Sequence, residues 1–528
     1  MPKIESSQTG LFLSPEVSLG VLPAAPVFIQ QEPNGYSDFG SSISTMAREP
    51  ITSSRQRKRA TVNDLEATAG FSADFLQRQS QHHIAAALFN LPYAKFTTAP
   101  LFGAVTGDPT IAVTVTAADE VAVPTVGAVG APLVVGSIVA LRGSRYTTNN
   151  TALVVTAKNV DLLTFQRAYG TGNLAVDTTD EDIVMTAVGH RFDFGAVTFD
   201  VSGDEFVQMQ FAVNATHTSV VDQLHVGEWL FIGGDAANSR IAEAPPFYAR
   251  IAAIGNDGTT YTLSLDTTTS ALVAAGGTIG TVGIKLDVYF GTFIRNPKDG
   301  EQQHRLSFTF DRTFDSTLSR AERVRGAVAN ELSLALASKE KATIDVGYMA
   351  LNSCVRSAVT NEVFKPVTGE TSYNLSVDTF RQRLAIRTGE LNPAALFAFV
   401  QSMEFTIANN ITADDAIGVL GAFDMTAGQF NVDLSVTAYL MDLEAVCAVR
   451  NNEVLGADII LAKQNQGVVV DVPEFTASNG RINVEKDTSV KIPVEGLAWA
   501  NRFGYTVGFT FFDWLPDVAM PATANCDC

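Results

Sequence analysis

The sequence predicts a mainly β protein: two tandem β-sandwich units, each with a flanking helix, plus small inserted β modules. Three observations carry that prediction. Long stretches alternate apolar and polar residues with the period of a half-buried strand, as at Leu306, Phe308 and Phe310. The stretch from about 100 to 300 is instead rich in Val, Thr and Gly, with short strands and frequent turns. Finally, the segment from Asp64 to Leu76 has a weaker echo from Asp424 to Leu434. In that echo Thr68-Ala69-Gly70 lines up with Thr426-Ala427-Gly428, and Asp74 with Asp433 after a one-residue insertion. The same distance leads from each Asp to an apolar helical stretch, which starts at Ile84 in one copy and at Leu443 in the other. A strand followed by a helix is therefore expected twice, and a duplicated β unit suggests a ring builder before a catalyst.

Residues 1–100 read as an N-terminal arm and the first half of the first unit. The arm, 1–47, is rich in Pro, Gly and Ser and is expected to hold short strands. Arg48 to Arg59 is polar and basic and lies between strand-like segments, the pattern of a long loop or hairpin tip. Ala67, Phe71, Ala73 and Phe75 then mark a half-buried strand, and Ser80 or Gln81 opens a helix carrying Ile84, Ala87 and Leu88.

Residues 101–300 read as the inserted modules, because a structureless loop of that length inside a compact domain is implausible. Val135-Gly136 with Gly143 matches Val226-Gly227 with Gly234 at identical spacing. Each is followed by hairpin-like residues (Ala152–Ala157, Ala249–Ala253) and an alternating strand (Leu162–Phe165, Tyr261–Leu265), so two small all-β modules are expected.

Residues 301–390 supply the second half of the first unit and a linker, with Asn330 to Tyr348 reading as a hairpin turned at Ser338–Lys341. The second unit, 391–515, contains Phe405–Ile407, a strand near Val432 and a helix around Leu443. It closes on a strand pair, Val468–Pro473 with Val490–Val494. The tail, 516–528, is expected to be poorly ordered.

Hydrophobic content of 46% with 17% charged residues is a globular composition, and no apolar run is long enough to span a bilayer. The first residues lack the basic-then-apolar layout of a secretory leader, and four cysteines are too few for a disulfide framework. A reducing cytoplasm is the expected folding compartment. The net charge of −20 opposes a grip on nucleic-acid phosphates. It suits either a surface that repels DNA or a protein kept soluble by its acidity.

Catalytic, cofactor-binding and metal sites are all expected to be absent. There is no phosphate-cradling glycine loop, no nucleophile elbow and no His-Glu-x-x-His pair. His82 and His83 are adjacent, so on a helix they diverge; packing or solvent exposure is expected of them. Cys526 and Cys528 make half a metal site at best, and Asp414-Asp415 and Asp180-Glu181-Asp182 read as solvated turns. One charge cluster stands apart, Arg48 with Arg55, Arg57, Lys58 and Arg59. It could touch nucleic acid, dock on an acidic face of a neighbouring subunit, or be solvated. The net charge opposes the first reading, and self-assembly of an acidic chain favours the second.

Three segments carry a resemblance: Glu16–Pro23, Arg48–Lys58 and Ala67–Asp74 resemble the opening of a bacteriophage tail tube protein. Val226–Asp235 is similar to an insert in some such proteins, and Gly421–Gly428 resembles the second tube unit of the same family. The resemblance implies a non-enzymatic virion protein made in the host cytoplasm. Its sheets would join between subunits into a barrel, and its rings would stack into a conduit for genome ejection. It further implies a homotrimer, since two tube folds per chain fill six ring positions with three chains. The implied partners are other copies of the chain, tail terminator and tail tip proteins, a tape measure protein in the lumen during assembly, and DNA in transit. With outward modules in the way of a sheath, a long non-contractile tail is expected. The competing classes are a capsid or tail-decoration protein, which lacks support in any long helix, and an Ig-like adhesin, which would need an export signal.

Overall fold

The computed structural model describes residues 8–521, apart from 49–50, 52–55, 57, 94, 96–113, 123–132, 143, 145, 160–161, 169–172 and 178–182. Also outside it are 203–205, 267, 316, 367–369, 387–394, 398, 441–442, 480, 483, 485 and 487–488. Strands account for 53% of the described residues and helices for 9%, as the mainly β expectation required.

The body is one 17-stranded sheet system, and twelve of its strands fall into two sets of identical layout. The first set is β1 (Gly10–Pro15), β2 (Pro33–Ala47), β3 (Ala60–Asp74), helix α1 (Gln77–Ala87), β4 (Ser307–Thr313), β5 (Ala321–Ala337) and β6 (Thr343–Ala350). The second is β7 (Thr379–Ile386), β8 (Val400–Ala408), β9 (Asn431–Tyr439), α2 (Glu444–Arg450), β10 (Val454–Lys463), β11 (Gln466–Ser478) and β12 (Lys491–Ala498). In the first, β1 pairs with β4, β4 with β5, β5 with β6, β6 with β3 and β3 with β2, always antiparallel. The second repeats each pairing: β7 with β10, β10 with β11, β11 with β12, β12 with β9 and β9 with β8. The sets join where β5 pairs with β8, from Glu331 opposite Ala408 to Ala337 opposite Ser402. One layer thus runs β2-β3-β6-β5-β8-β9-β12-β11.

Alternation decides which side of this layer is buried. Phe71, Leu332, Leu334, Ile344, Val346, Phe405, Leu434 and Val494 enter one core together with Phe308 and Phe310 of β4 and Leu461, Val468 and Val470 of β10 and β11. Helix α1 closes this core with Ile84 and Ala85 to Leu88. It starts at Gln77, earlier than the expected Ser80 or Gln81, and the polar Gln77 and Ser80 of its first turn are buried with hydrogen-bond partners. Gln77 Nε2 donates to the Phe512 carbonyl at 2.7 Å, Tyr373 donates to Gln77 Oε1 at 2.7 Å, and Ser80 Oγ accepts from the Leu76 amide at 3.1 Å. His82 and His83 are both buried, so packing is the outcome of the two readings offered for them. Burial pushes His82 down to about 4 and, with His82 beside it, His83 down to about 3.

The strands between 114 and 289 form a separate 13-stranded sheet with its own core. It too contains a pattern used twice. Ser137–Arg142, Ala152–Lys158 and Leu162–Arg167 pair in succession, as do Trp229–Ile232, Phe247–Asn256 and Thr260–Asp266. The matched Gly136 and Gly227 open these runs with φ of 93° and 96°, where a Cβ would be strained; Gly143 lies outside the described residues. The two expected modules are one sheet, because Val184–Phe192 of the first half pairs with Leu286–Tyr289 of the second.

Other expectations need correction. The arm is not limited to short strands: β2 is 15 residues long and forms a hairpin with β3. Val468 to Asp471 does not pair with Val490–Val494. It lies between β10 and the strand Gly508–Phe512, and β12 pairs with β9 and the far end of β11, since β11 bends from one layer to the other. The echo is out of step, for Asp74 ends β3 whereas Asp433 is third in β9. Ala519, expected in a poorly ordered tail, is fully buried together with Leu515 and Phe512.

Candidate functional site: an acidic sheet face and a projecting hairpin

The side of the eight-stranded layer turned away from the core carries carboxylates among hydroxyls. One row of facing residues runs Ser72, Asp345, Ser333, Thr406 and Asp433 across β3, β6, β5, β8 and β9. A second runs Glu404, Ser435 and Glu495 across β8, β9 and β12, and Glu331 lies on the other side of the first row, two residues from Ser333 on β5. Asp345, Glu331, Glu404, Asp433 and Glu495 are all exposed. Partial burial, and then the charge of Glu404, raises the carboxyl of Asp345 above its ordinary range. The Ser333 hydroxyl donates to Glu404 at 2.8 Å. Lys491 at the start of β12 has its ammonium over the Tyr439 ring, 5.7 Å from its centre. Such a face offers a polyanion mainly like charge.

At one edge of the layer β2 and β3 run on together as a two-stranded ribbon, Ser41–Ala47 against Ala60–Ala67. Ile43, Met46 and Val62 are exposed along it. An isolated ribbon of this kind is marginally stable in water, and exposed apolar side chains along it mark a contact surface. At its tip Arg48, Lys58 and Arg59 are exposed, while Arg55 and Arg57 lie outside the described residues.

The 114–289 sheet packs on the opposite side of the body from the acidic face. Ile459, Leu461, Val468 and Val470 point into the main core, whereas Ile460, Ala462 and Val469 point out against Trp229, Phe231 and Tyr248. The contact is pinned by Arg250, fully buried, which binds Asp266 at 2.6 Å and Asp471 of β11 at 2.9 Å. These two carboxylates keep the guanidinium firmly charged despite its desolvation.

Of the other singled-out residues, Asp414 accepts from the Thr426 hydroxyl at 2.7 Å in a small exposed hairpin, and Asp415 is exposed beside it, as solvated turns would be. Asp180, Glu181, Asp182, Cys526 and Cys528 lie outside the described residues. Sequence reasoning found the basic tip and missed the acidic face. Its signal was present, since Glu331, Asp345, Glu404, Asp433 and Glu495 occupy the polar positions beside Leu332, Ile344, Phe405, Leu434 and Val494.

Stacked antiparallel layers, an outward acidic face and a projecting ribbon suit a structural assembly protein. Consistent with that class, residues 264–498 match the family model described as phage tail tube protein, a span that ends with β12. Over that region, which includes Gly421–Gly428, the match supports the resemblance read from the sequence and a role as a phage tail structural protein. No curated protein matches the chain.

Proposed function

We propose that this chain polymerises into stacked rings that form the tube of a long non-contractile phage tail, through which the genome is ejected. The observation that carries the reading is the eight-stranded layer, buried on one side and acidic on the other. Three chains, each giving eight strands, close a barrel of about 24 strands, well beyond the roughly 16 at which barrels already enclose water. At about 4.8 Å per strand its diameter is about 37 Å before strand tilt widens it. With the acidic face inward, DNA meets like charge and slides without lasting contacts.

The domain division we propose keeps 1–100 with 301–378 as the first tube unit, 101–300 as the insert and 516–528 as the tail. The second unit starts at β7 rather than at 391, because β7 pairs with β10. The insert lies on the outside of the tube. Arg48, Arg55, Arg57, Lys58 and Arg59 dock on an acidic surface of a neighbouring ring, offsetting the repulsion between acidic rings. Tail terminator, tail tip and tape measure proteins are the further partners this role requires.

Negative-stain microscopy of the purified protein tests the reading. Rings or tubes with threefold outer features around a nearly sixfold wall are expected; a ring of six chains, or dispersed monomers alone, overturns it. Reversing Arg55, Arg57, Lys58 and Arg59 to Glu is expected to block elongation while circular dichroism remains unchanged. Normal tubes that merely lose DNA binding would move the loop to the lumen.

A further inference from the structure

A cleft of about 770 Å³ opens at the joint between the two halves of the insert. That volume falls in the roughly 300–1,000 Å³ range of small-molecule sites, which favour joints between packed units. Val135, Gly136 and Gln166 line it from the first half, and Asn214, His217 and Lys285 from the second. His190 lines it from Val184–Phe192, the strand that joins the halves. A bulge between Ala187 and Gly189 shifts this strand by one residue, so Phe192, and with it His190, falls on the side that Met185 and Ala187 occupy. Gly136 leaves the room for His190, since a Cβ there would lie 2.7 Å from its ring.

Two imidazoles form the polar wall. The His217 ring is wedged between Phe192 and Phe211, with centres 5.3 and 5.2 Å away. Its Nδ1 is 2.6 Å from the Ala212 carbonyl, which can only accept, so in the neutral ring Nδ1 carries the proton and Nε2 is left to accept. His190 is 3% exposed, and its Nδ1 has no hydrogen-bond partner among the described residues. Buried polar atoms seldom go unmet, and a group bound in the cleft can meet this one. Charge cancels at the rim, where Lys285 Nζ is 3.9 Å from Asp193 and 5.6 Å from the centre of the exposed Phe194 ring. Arg191 is committed to Asp287 by bonds of 2.6 and 2.8 Å. Gln166 and Asn214 add amides, which donate and accept, and Val135 and Ala212 add apolar surface.

We propose that this cleft binds a neutral sugar residue. Each sugar hydroxyl both donates and accepts, which matches imidazoles, amides and a Lys–Asp pair side by side, and the C–H faces of the ring suit the apolar surface. An anion would find Lys285 already neutralised and Arg191 occupied. A metal ion would find no group of three ligating side chains among the described residues. The cleft lies wholly within the insert of one chain and needs no assembly to form. A free sugar and the terminal residue of a glycan share this chemistry.

Saturation-transfer NMR on the full chain tests the site with methyl glycosides of glucose, galactose, mannose, rhamnose and N-acetylglucosamine. Transfer to at least one of them is expected, and silence from all of them overturns the proposal. Inorganic phosphate or zinc ions that bind when no glycoside does would overturn the sugar in favour of an anion or a metal. A disaccharide ending in the sugar that binds separates the two sources: equal or tighter binding supports a glycan end, and weaker binding supports a free sugar. Ala215→Trp and, from the other half, Gln166→Trp each put an indole into the cleft from an exposed position. Each is expected to weaken binding about tenfold or more, and undiminished binding by variants with unchanged melting curves overturns the site. Should both variants melt early, hydrogen exchange on unmodified protein decides. Amides of residues 212–217 are expected to exchange more slowly with the glycoside bound, and equal rates overturn the site.

Discussion

The body and the insert are each built from one strand pattern used twice, yet the copies are joined in opposite ways. In the insert the same element of each half meets at the centre, Val184–Phe192 against Leu286–Tyr289. Such a like-to-like joint uses itself up. In the body, the late strand β5 of one set meets the early strand β8 of the other. An unlike joint leaves its complement at both ends and can be repeated. The same duplication thus finishes an object in one region and leaves it extensible in the other.

The largest effect is expected at the body joint itself. Phe405→Asp places a carboxylate opposite Leu334 in the main core, and an unpaired buried charge should cost roughly 4 kcal/mol or more. Denaturant titration should show the loss, and an unchanged midpoint would mean that the joint is not packed as described.

A smaller loss is expected where the insert meets the body. Gly227 has φ of 96°, and a Cβ there would lie 2.4 Å from the Tyr505 ring. Gly227→Ala should therefore lower stability by about 2–4 kcal/mol through strain and overpacking. Gly136→Ala, whose Cβ would meet His190 within the insert, should perturb the insert without loosening its attachment. Limited proteolysis of the two variants would separate these outcomes.

Acid should strain both regions. Burial depresses His82 to about 4, His83 to about 3 and His190 to about 3, so each stays neutral in the fold and takes a proton on unfolding. The unfolded chain binds more protons below its ordinary value of about 6.5, so stability falls as pH drops from there toward the folded values. Each histidine adds up to about 1.4 kcal/mol per pH unit within that window. His83→Gln should remove one such contribution from the body, and His190→Gln one from the insert. Melting curves at pH 7 and pH 5 that shift equally in the variants and the parent would refute the linkage.

The smallest effect on folding is expected at the acidic face. Changing Glu404, Asp433 and Glu495 to Gln should move monomer stability by no more than about 0.5 kcal/mol per site, since these groups are exposed. Any retention of DNA by the resulting tubes, measured by filter binding against the parent, would then report on the lumen rather than the fold.

Local patterns were legible in the sequence. Leu332, Leu334 and Leu336 lie on one buried face, and the hairpin turned at Ser338–Lys341 joins β5 to β6 as its alternation required. Partners distant in sequence were not. The acidic row exists only because β3, β6, β5, β8 and β9 become neighbours through long-range pairing. The strand echo failed for a related reason. Bulges at Tyr36–Phe39 in the β2–β3 pair and at Val400–Ser402 in the β8–β9 pair let equivalent strands drift in sequence while holding their places in the sheet. One overlooked signal was local: the unbroken apolar run Ile459-Ile460-Leu461-Ala462 already meant a strand covered on both faces.

The chain segment from β6 to β7, residues 351–378, turns half of the proposed wall joints into intramolecular ones. Partners tied by a short tether meet at an effective concentration of about a millimolar or more, far above that of free subunits. A ring of six separate units must survive several weak early encounters before it closes. With pairs already made, three chains meet in only two encounters before the ring closes on itself, and the rate depends less steeply on how much protein the cell has accumulated. Covalent linkage thereby acts on the timing of assembly as well as on its geometry.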